Sequence, residues 1–309
     1  MTMKVEWLHG CATALVTPFT SDGAVDRERF RSLVERQIAG GVSLLVPCGT
    51  TGESATMTEE EDREVIKLCV ETARGRARVI AGTGSNSTAA AVEYSRAARD
   101  LGADALLVVA PFYNKPTQAG LFEHFRTIAE AVSDLPIVLY NVPGRTSCNI
   151  AAATTLKLAR EVENIAAIKE ASGDLSQIMA ILRERPNGFR VLSGDDAVTL
   201  PLVALGADGV VSVVSNESPA LMSQLVKLAL DGDWERAREL QYRLLPLMEV
   251  NFIESSPGPV KAALMMMGLI EENFRLPLVP ISEQSRERVR EALTGLGLIK
   301  GNAHAAGMD

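Results

Sequence analysis

A chain of 309 residues has room for one large α/β domain or two ordinary ones, since barrels of that class routinely reach about 250 residues. Its 47% hydrophobic and 23% charged residues suit a soluble protein with a sizeable core, and a net charge of −8 without a Lys/Arg run argues against nucleic acid as a partner. The four cysteines lack CxxC spacing and the three histidines form neither HxxxH nor HExxH, so neither a zinc site nor a disulfide framework is indicated.

Residues 1–7 lack the apolar stretch of a signal peptide, and no run approaches about 18 apolar residues, which predicts a cytoplasmic protein without a membrane span. Short β-rich apolar runs then recur at 11–16, 43–47, 78–81, 105–110, 137–140, 165–169, 189–193 and 209–214. Helical patterns fill the gaps. Asp26 suits an N-cap before Phe30, Leu33, Val34 and Ile38, with Gly40-Gly41 closing that helix. Thr58-Glu59-Glu60-Glu61 reads as a capping box before Val65, Ile66, Cys69 and Val70. Thr117 precedes Phe122, Phe125, Ile128, Ala129 and Val132, and further helices are expected near 88–101, 152–161, 174–184 and 196–205. Eight strands alternating with helices predict a (β/α)8 TIM barrel over residues 1–218, with an open doubly wound sheet as the alternative. Beyond 218 the strand signal stops. Helical patterns at 221–230, 234–250, 259–267 and 282–296 predict a C-terminal helical domain over 219–300, and 301–309 reads as a loose tail.

In a barrel the active site lies at the C-terminal ends of the strands. Lys169 ends the sixth run, Ile165-Ala166-Ala167-Ile168-Lys169, where an unpaired buried ammonium is costly and needs a reason. A lysine desolvated in such a place is a nucleophile toward carbonyl carbon, able to form a Schiff base. The alternative is a side chain that snorkels out or pairs with Glu170.

Other unusual residues converge on the same end. Gly49-Thr50-Thr51-Gly52-Glu53-Ser54 follows the second strand, and its N–H groups and hydroxyls suit a carboxylate or phosphate; a plain tight turn is the alternative. Tyr113 lies in the Pro-rich loop after the fourth strand, and Tyr140 ends the fifth; a tyrosine hydroxyl near an amine can shuttle protons. Arg145, in the loop after Tyr140, can hold a carboxylate in a bidentate fork or make a surface ion pair. Asp195-Asp196 follows the seventh strand, with Asp196 expected as the next N-cap rather than a metal ligand. Gly82-Thr83-Gly84 lacks the third glycine of a dinucleotide loop. Together the lysine, the Thr-Thr loop, two tyrosines and an arginine describe metal-free carbon–carbon bond formation through a Schiff base with a 2-keto acid, which needs no cofactor.

From about residue 10 to about residue 298, these motifs resemble in order and spacing the dihydrodipicolinate synthase/N-acetylneuraminate lyase family. The resemblance implies that Lys169 forms a Schiff base with pyruvate and that Thr50 and Thr51 hold the pyruvate carboxylate. Tyr140, Thr51 and Tyr113 match the family's proton relay, with Tyr113 crossing the tight interface of a homotetramer built as a dimer of dimers. Arg145 matches the residue that binds the carboxylate of aspartate-4-semialdehyde, and Gly194 and Val211 match positions lining the pocket. The implied reaction condenses pyruvate with that semialdehyde to 4-hydroxy-tetrahydrodipicolinate, the first committed step of lysine and diaminopimelate biosynthesis. The alternatives are an N-acetylneuraminate or keto-deoxy-sugar acid lyase of the same family, whose members usually lack an arginine in the Arg145 loop, and a catalytically silent member, which would have lost Lys169 or Tyr140. At the positions matching the family's lysine-inhibitor site, Ser54, Ala55 and Asn86 agree. Glu59, Asp62, Ala90 and Phe112 stand where sensitive members carry His, His, Glu and Tyr, which predicts weak or absent inhibition by lysine. The segments around Ser215–Pro219 and Ser256/Gly258 also depart from the family's usual versions.

Overall fold

The computed structural model describes Met3 and residues 5–300; the expected tail at 301–309 lies outside the described residues. Eight strands, β1 (Gly10–Ala14), β2 (Leu44–Val46), β3 (Arg78–Gly82), β4 (Ala105–Val109), β5 (Ile137–Asn141), β6 (Ile165–Glu170), β7 (Arg190–Ser193) and β8 (Gly209–Ser212), form one parallel sheet. It runs in chain order and closes, with β8 pairing back to β1 at Gly10↔Gly209 and Ala12↔Val211. The (β/α)8 barrel is therefore the fold, and the open sheet is excluded.

The barrel helices are α1 (Arg27–Ala39), α2 (Glu59–Ala73), α3 (Thr88–Asp100), α4 (Gln118–Ala131), α5 (Pro143–Thr146), α6 (Ala152–Glu161), α7 (Leu175–Glu184) and α8 (Thr199–Ala204). Their starts follow local chemistry. Asp26 accepts the Arg29 N–H, Thr58 and Glu61 form the reciprocal capping box, and Thr117 accepts the Gly120 N–H. Two local expectations need correction. The single-turn α5 has no helical periodicity to announce it, because it is only four residues long. Asp196 is not an N-cap: α8 starts later, behind Val198, and the Asp196 carboxylate instead accepts the N–H groups of Val213 and Val214 at 2.9 and 3.0 Å.

Strand side chains alternate between two apolar layers. Ala12, Leu44, Ile80, Leu107, Val138, Tyr140 and Val211 fill the barrel interior, while Leu45, Leu106, Val108, Ile137 and Leu139 face the helices. In β6 the alternation is interrupted. Ile137 pairs with Ile165 but Val138 with Ala167, leaving Ala166 as a bulge residue without a partner on β5. The strand thereafter pairs Tyr140 with Lys169 and Asn141 with Glu170.

After β8 come α9 (Pro219–Leu230), α10 (Trp234–Val250), α11 (Gly258–Met266) and α12 (Glu283–Gly295). Helix α9 packs on β1 and α1, and α10 packs on α9 and α12. Met222, Leu225, Leu244, Leu247 and Val289 join the same apolar cluster as the barrel's outer layer. Among the described residues no helix is long and apolar enough to cross a membrane.

Candidate active site

Lys169 and Tyr140 project into the barrel from neighbouring strands at the same level, because the register pairs their Cα atoms. The Lys169 ammonium sits 4.0 Å from the centre of the Tyr140 ring. Only 6% of Lys169 is exposed, yet among the described residues its ammonium makes no hydrogen bond and no ion pair. Glu170 is not its partner. One residue on, Glu170 points the other way and accepts from Asn141 Nδ2 at 3.1 Å, Ser172 N at 2.8 Å and Gln177 Nε2 at 3.2 Å. Burial pushes the Glu170 carboxyl above the usual carboxylate range, and those hydrogen bonds oppose the shift. The snorkelling and paired readings of Lys169 therefore both fail on geometry.

Gly194 follows β7 and accounts for the room around that lysine. A Cβ there would lie 2.6 Å from the Ala171 Cβ and 3.1 Å from the Lys169 Cε. Val211 stands in β8 opposite Ala12, on the same inner wall as Tyr140.

After β2 the chain turns tightly, Gly52 N–H donating to Gly49 C=O and Glu53 N–H to Thr50 C=O. Thr51 is buried in that turn and Thr50 is exposed at its tip. Among the described residues neither threonine hydroxyl, nor either threonine N–H, has a hydrogen-bond partner within the chain. Such a set of free donors suits an anion. Arg145 projects from α5 without an ion pair among the described residues, so the expected alternative of a surface pair is absent.

Thr50, Tyr140, Val142, Arg145 and Phe112 line one cavity of about 540 Å³ at this end of the barrel. Lys169, Thr51, Gly194 and Val211 are not among its lining residues. Tyr113 stands apart. It is 89% exposed, outside its own chain's cavity, and held at φ +74°, a conformation costly for a tyrosine. Its loop is tied down by Asn114, whose Nδ2 donates to the Asn86 carbonyl at 2.8 Å.

Several residues that line the cavity were not expected there from sequence, although Ser256 was noted as a departure from the family and Asp62 at an inhibitor-matching position. Ser256 and Pro257 ahead of α11, and Pro277 and Leu278 beyond it, bring the C-terminal segment into the cavity wall. Cys48 and Asp62 line its far side. Burial raises the Cys48 thiol well above its usual value and lifts the Asp62 carboxyl to about 7. The glycines of Gly82-Thr83-Gly84 serve packing: a Cβ on Gly82 would meet the Cys48 carbonyl oxygen at 2.1 Å, and one on Gly84 the Val109 nitrogen at 2.3 Å.

With this geometry in view, known proteins give a consistent picture. The family model for the dihydrodipicolinate synthetase family matches residues 7–296. A 4-hydroxy-tetrahydrodipicolinate synthase of Chlorobium chlorochromatii is 52% identical over 297 residues, covering 96% of this chain and 100% of that protein. The crystal structure of dihydrodipicolinate synthase from Aquifex aeolicus superposes with a TM-score of 0.93 at 47% identity, covering 95% of this chain and 100% of that one. The chloride-inhibited dihydrodipicolinate synthase from Acinetobacter baumannii, complexed with pyruvate, gives 0.92 at 46% identity, covering 94% and 100%. Matched along nearly its whole length in both sequence and fold, the chain belongs to the dihydrodipicolinate synthetase family.

Proposed function

We propose that this chain is a lyase that condenses pyruvate with L-aspartate-4-semialdehyde to 4-hydroxy-tetrahydrodipicolinate, in the route to lysine and diaminopimelate. The observation that carries the reading is the unpartnered, buried Lys169 set in register beside Tyr140. The relatives' names, and the pyruvate bound by the Acinetobacter baumannii enzyme, support the choice of substrates.

The pyruvate carboxylate takes the Thr50–Thr51 turn, whose donors are free. Lys169 Nζ attacks C2 of pyruvate, and water leaves the carbinolamine with the Tyr140 hydroxyl delivering the proton. The resulting iminium draws electrons from C3, which loses a proton to give the enamine. C3 of the enamine then bonds to the aldehyde carbon of the semialdehyde, whose oxygen is protonated while Arg145 holds the far carboxylate in a fork. Finally the amine of the second substrate adds to C2 and expels Lys169, closing the ring and freeing the enzyme. The iminium is the electron sink when C3 is deprotonated, it re-forms as C3 bonds to the aldehyde, and it is then the electrophile that the incoming amine attacks. Gly194 and Val211 shape the wall against which pyruvate and the lysine stem lie.

Tyr113 fits this scheme only in an oligomer. We assign it to the proton relay of a neighbouring subunit, with Tyr140 and Thr51, across the tight interface of a homotetramer. An exposed aromatic held at positive φ beside the cavity-lining Phe112 supports that assignment. A sugar-acid lyase reading gains nothing from the site, because Arg145 stands free at the rim.

Borohydride reduction in the presence of pyruvate, followed by peptide mapping, tests the chemistry. A reduced pyruvyl adduct on Lys169 is expected, and its absence or its appearance on another lysine defeats the proposal. Turnover with aspartate-4-semialdehyde against sugar aldehydes then tests the acceptor.

A further inference from the structure

A second lysine, Lys261 in α11, is completely buried, and unlike Lys169 it is fully partnered. Its ammonium donates to Glu53 Oε1 at 2.5 Å and to the Asn273 carbonyl at 2.6 Å, between the rings of Phe19 and Phe274 at 4.5 and 4.8 Å. Glu53 is equally buried and closes the turn that carries Thr50 and Thr51. It does so at φ +59°, in the left-handed region that a glutamate adopts only when its surroundings compel it. Behind the turn there is no slack: a Cβ on Gly52 would meet the Leu15 carbonyl oxygen at 3.1 Å and the Cys48 nitrogen at 3.3 Å.

A buried ion pair gives little net stability compared with apolar side chains of similar volume, because desolvation cancels most of the attraction. What it does supply is a short, directional anchor. Here one end is fixed in a helix that follows the cavity-lining Ser256 and Pro257, and the other is the last residue of the Thr-Thr turn.

We infer that Glu53 and Lys261 are positioning residues that hold the Thr50–Thr51 turn in its anion-binding shape, so that pyruvate affinity depends on a lysine of the C-terminal helices. The inference rests on the function proposed above, in which that turn takes the pyruvate carboxylate. Lys261 is not among the residues lining the cavity, and the Glu53 side chain, though its residue borders that cavity, is fully buried and directed at Lys261.

The test measures how pyruvate-dependent borohydride trapping of Lys169 saturates in full-length wild type, Glu53→Asp, Lys261→Met and Glu53→Gln/Lys261→Met, with thermal melting alongside. Glu53→Asp keeps both charges but is one methylene short, and should fold. It is expected to raise the half-saturating pyruvate concentration about tenfold or more while changing the limiting trapping rate less. The double variant removes both charges at once and is expected to melt closer to wild type than Lys261→Met does, while its half-saturation stays raised. That split separates positioning from plain structural support. A folded Glu53→Asp or double variant with wild-type half-saturation overturns the inference, as does half-saturation that recovers in step with melting temperature. Failure of all three variants to fold also overturns it, leaving the pair a stability element only. No adduct in the wild type defeats the functional reading and this inference with it, whereas a wild-type adduct with unshifted variants defeats the inference alone.

Discussion

Replacing Gly194 by alanine tests the site without removing any reactive group. The added methyl would stand 2.6 Å from the Ala171 Cβ, about 1 Å inside ordinary carbon–carbon contact, and 3.1 Å from the Lys169 Cε. Ala171 follows directly on β6 and its N–H is bonded to the Asn141 carbonyl, so it has little freedom to retreat. Moving the lysine stem, at 3.1 Å, cannot relieve the clash with Ala171, so the backbone at Gly194 or at Ala171 must shift, and Ala171 lies only two residues from Lys169. Overpacking of this kind costs about 1–3 kcal/mol in stability. A displacement of about 1 Å at a nucleophile is enough to lower a rate about a hundredfold. Gly194→Ala is therefore expected to melt a few degrees lower, to bind pyruvate, and to form the reducible adduct about a hundred times more slowly. Stopped-time borohydride trapping at saturating pyruvate, with a denaturant titration, measures both quantities. Adduct formation at the wild-type rate in a folded Gly194→Ala enzyme would refute the claim that this glycine makes room for Lys169.

Three further outcomes follow from the same geometry. Arg145→Ala should leave pyruvate trapping on Lys169 intact while turnover with the semialdehyde collapses by about a hundredfold or more, since a fork to carboxylate is lost only in the second half of the reaction; equal loss in both halves would contradict the assignment. Asp62 gives a pH signature: its carboxyl rises from 3.8 to about 7 on folding, mainly through burial, so between those values the folded state holds more protons than the unfolded one. Stability conferred by that protonated carboxyl is present below the lower value and is lost as pH rises toward 7. Asp62→Asn should flatten the melting-temperature profile over that window, and an unchanged profile would show that the carboxyl titrates normally. Lysine is expected to inhibit weakly or not at all, because Ala90 and Phe112 lack the carboxylate and hydroxyl found at the matching positions of sensitive members; a sub-millimolar inhibition constant in a coupled assay would overturn that expectation.

Much of the fold was legible because its signals are local and periodic. The capping residues Asp26, Thr58 with Glu61, and Thr117 act within one helical turn, so they could be read directly. The barrel followed from counting strand-like runs. The Asp196 role was misread because its partners, Val213 and Val214, lie seventeen and eighteen residues away and no spacing rule links them. The site was legible to the extent that its residues end strands. Lys169 stood out as a lysine in an apolar run, whereas Lys261, between Val260 and Ala262, sits in a similar setting and was not singled out. Composition cannot tell a paired lysine from a free one. Only the fold brings Glu53, 208 residues distant in sequence, onto Lys261 and leaves Lys169 with none.

The bulge at Ala166 has a wider consequence for this strand. Strict two-residue alternation counted from Ile165, which faces the helices, would turn Lys169 toward the helices as well and Glu170 toward the interior. The unmatched alanine reverses that parity three residues before the lysine. Which of two adjacent side chains, an amine or a carboxylate, faces the barrel interior is thus decided near the start of the strand, at a residue outside the cavity lining. A change that merely straightened the strand at Ala166 would turn Lys169 toward the helices and Glu170 toward the interior, and on the function proposed above it would silence the enzyme.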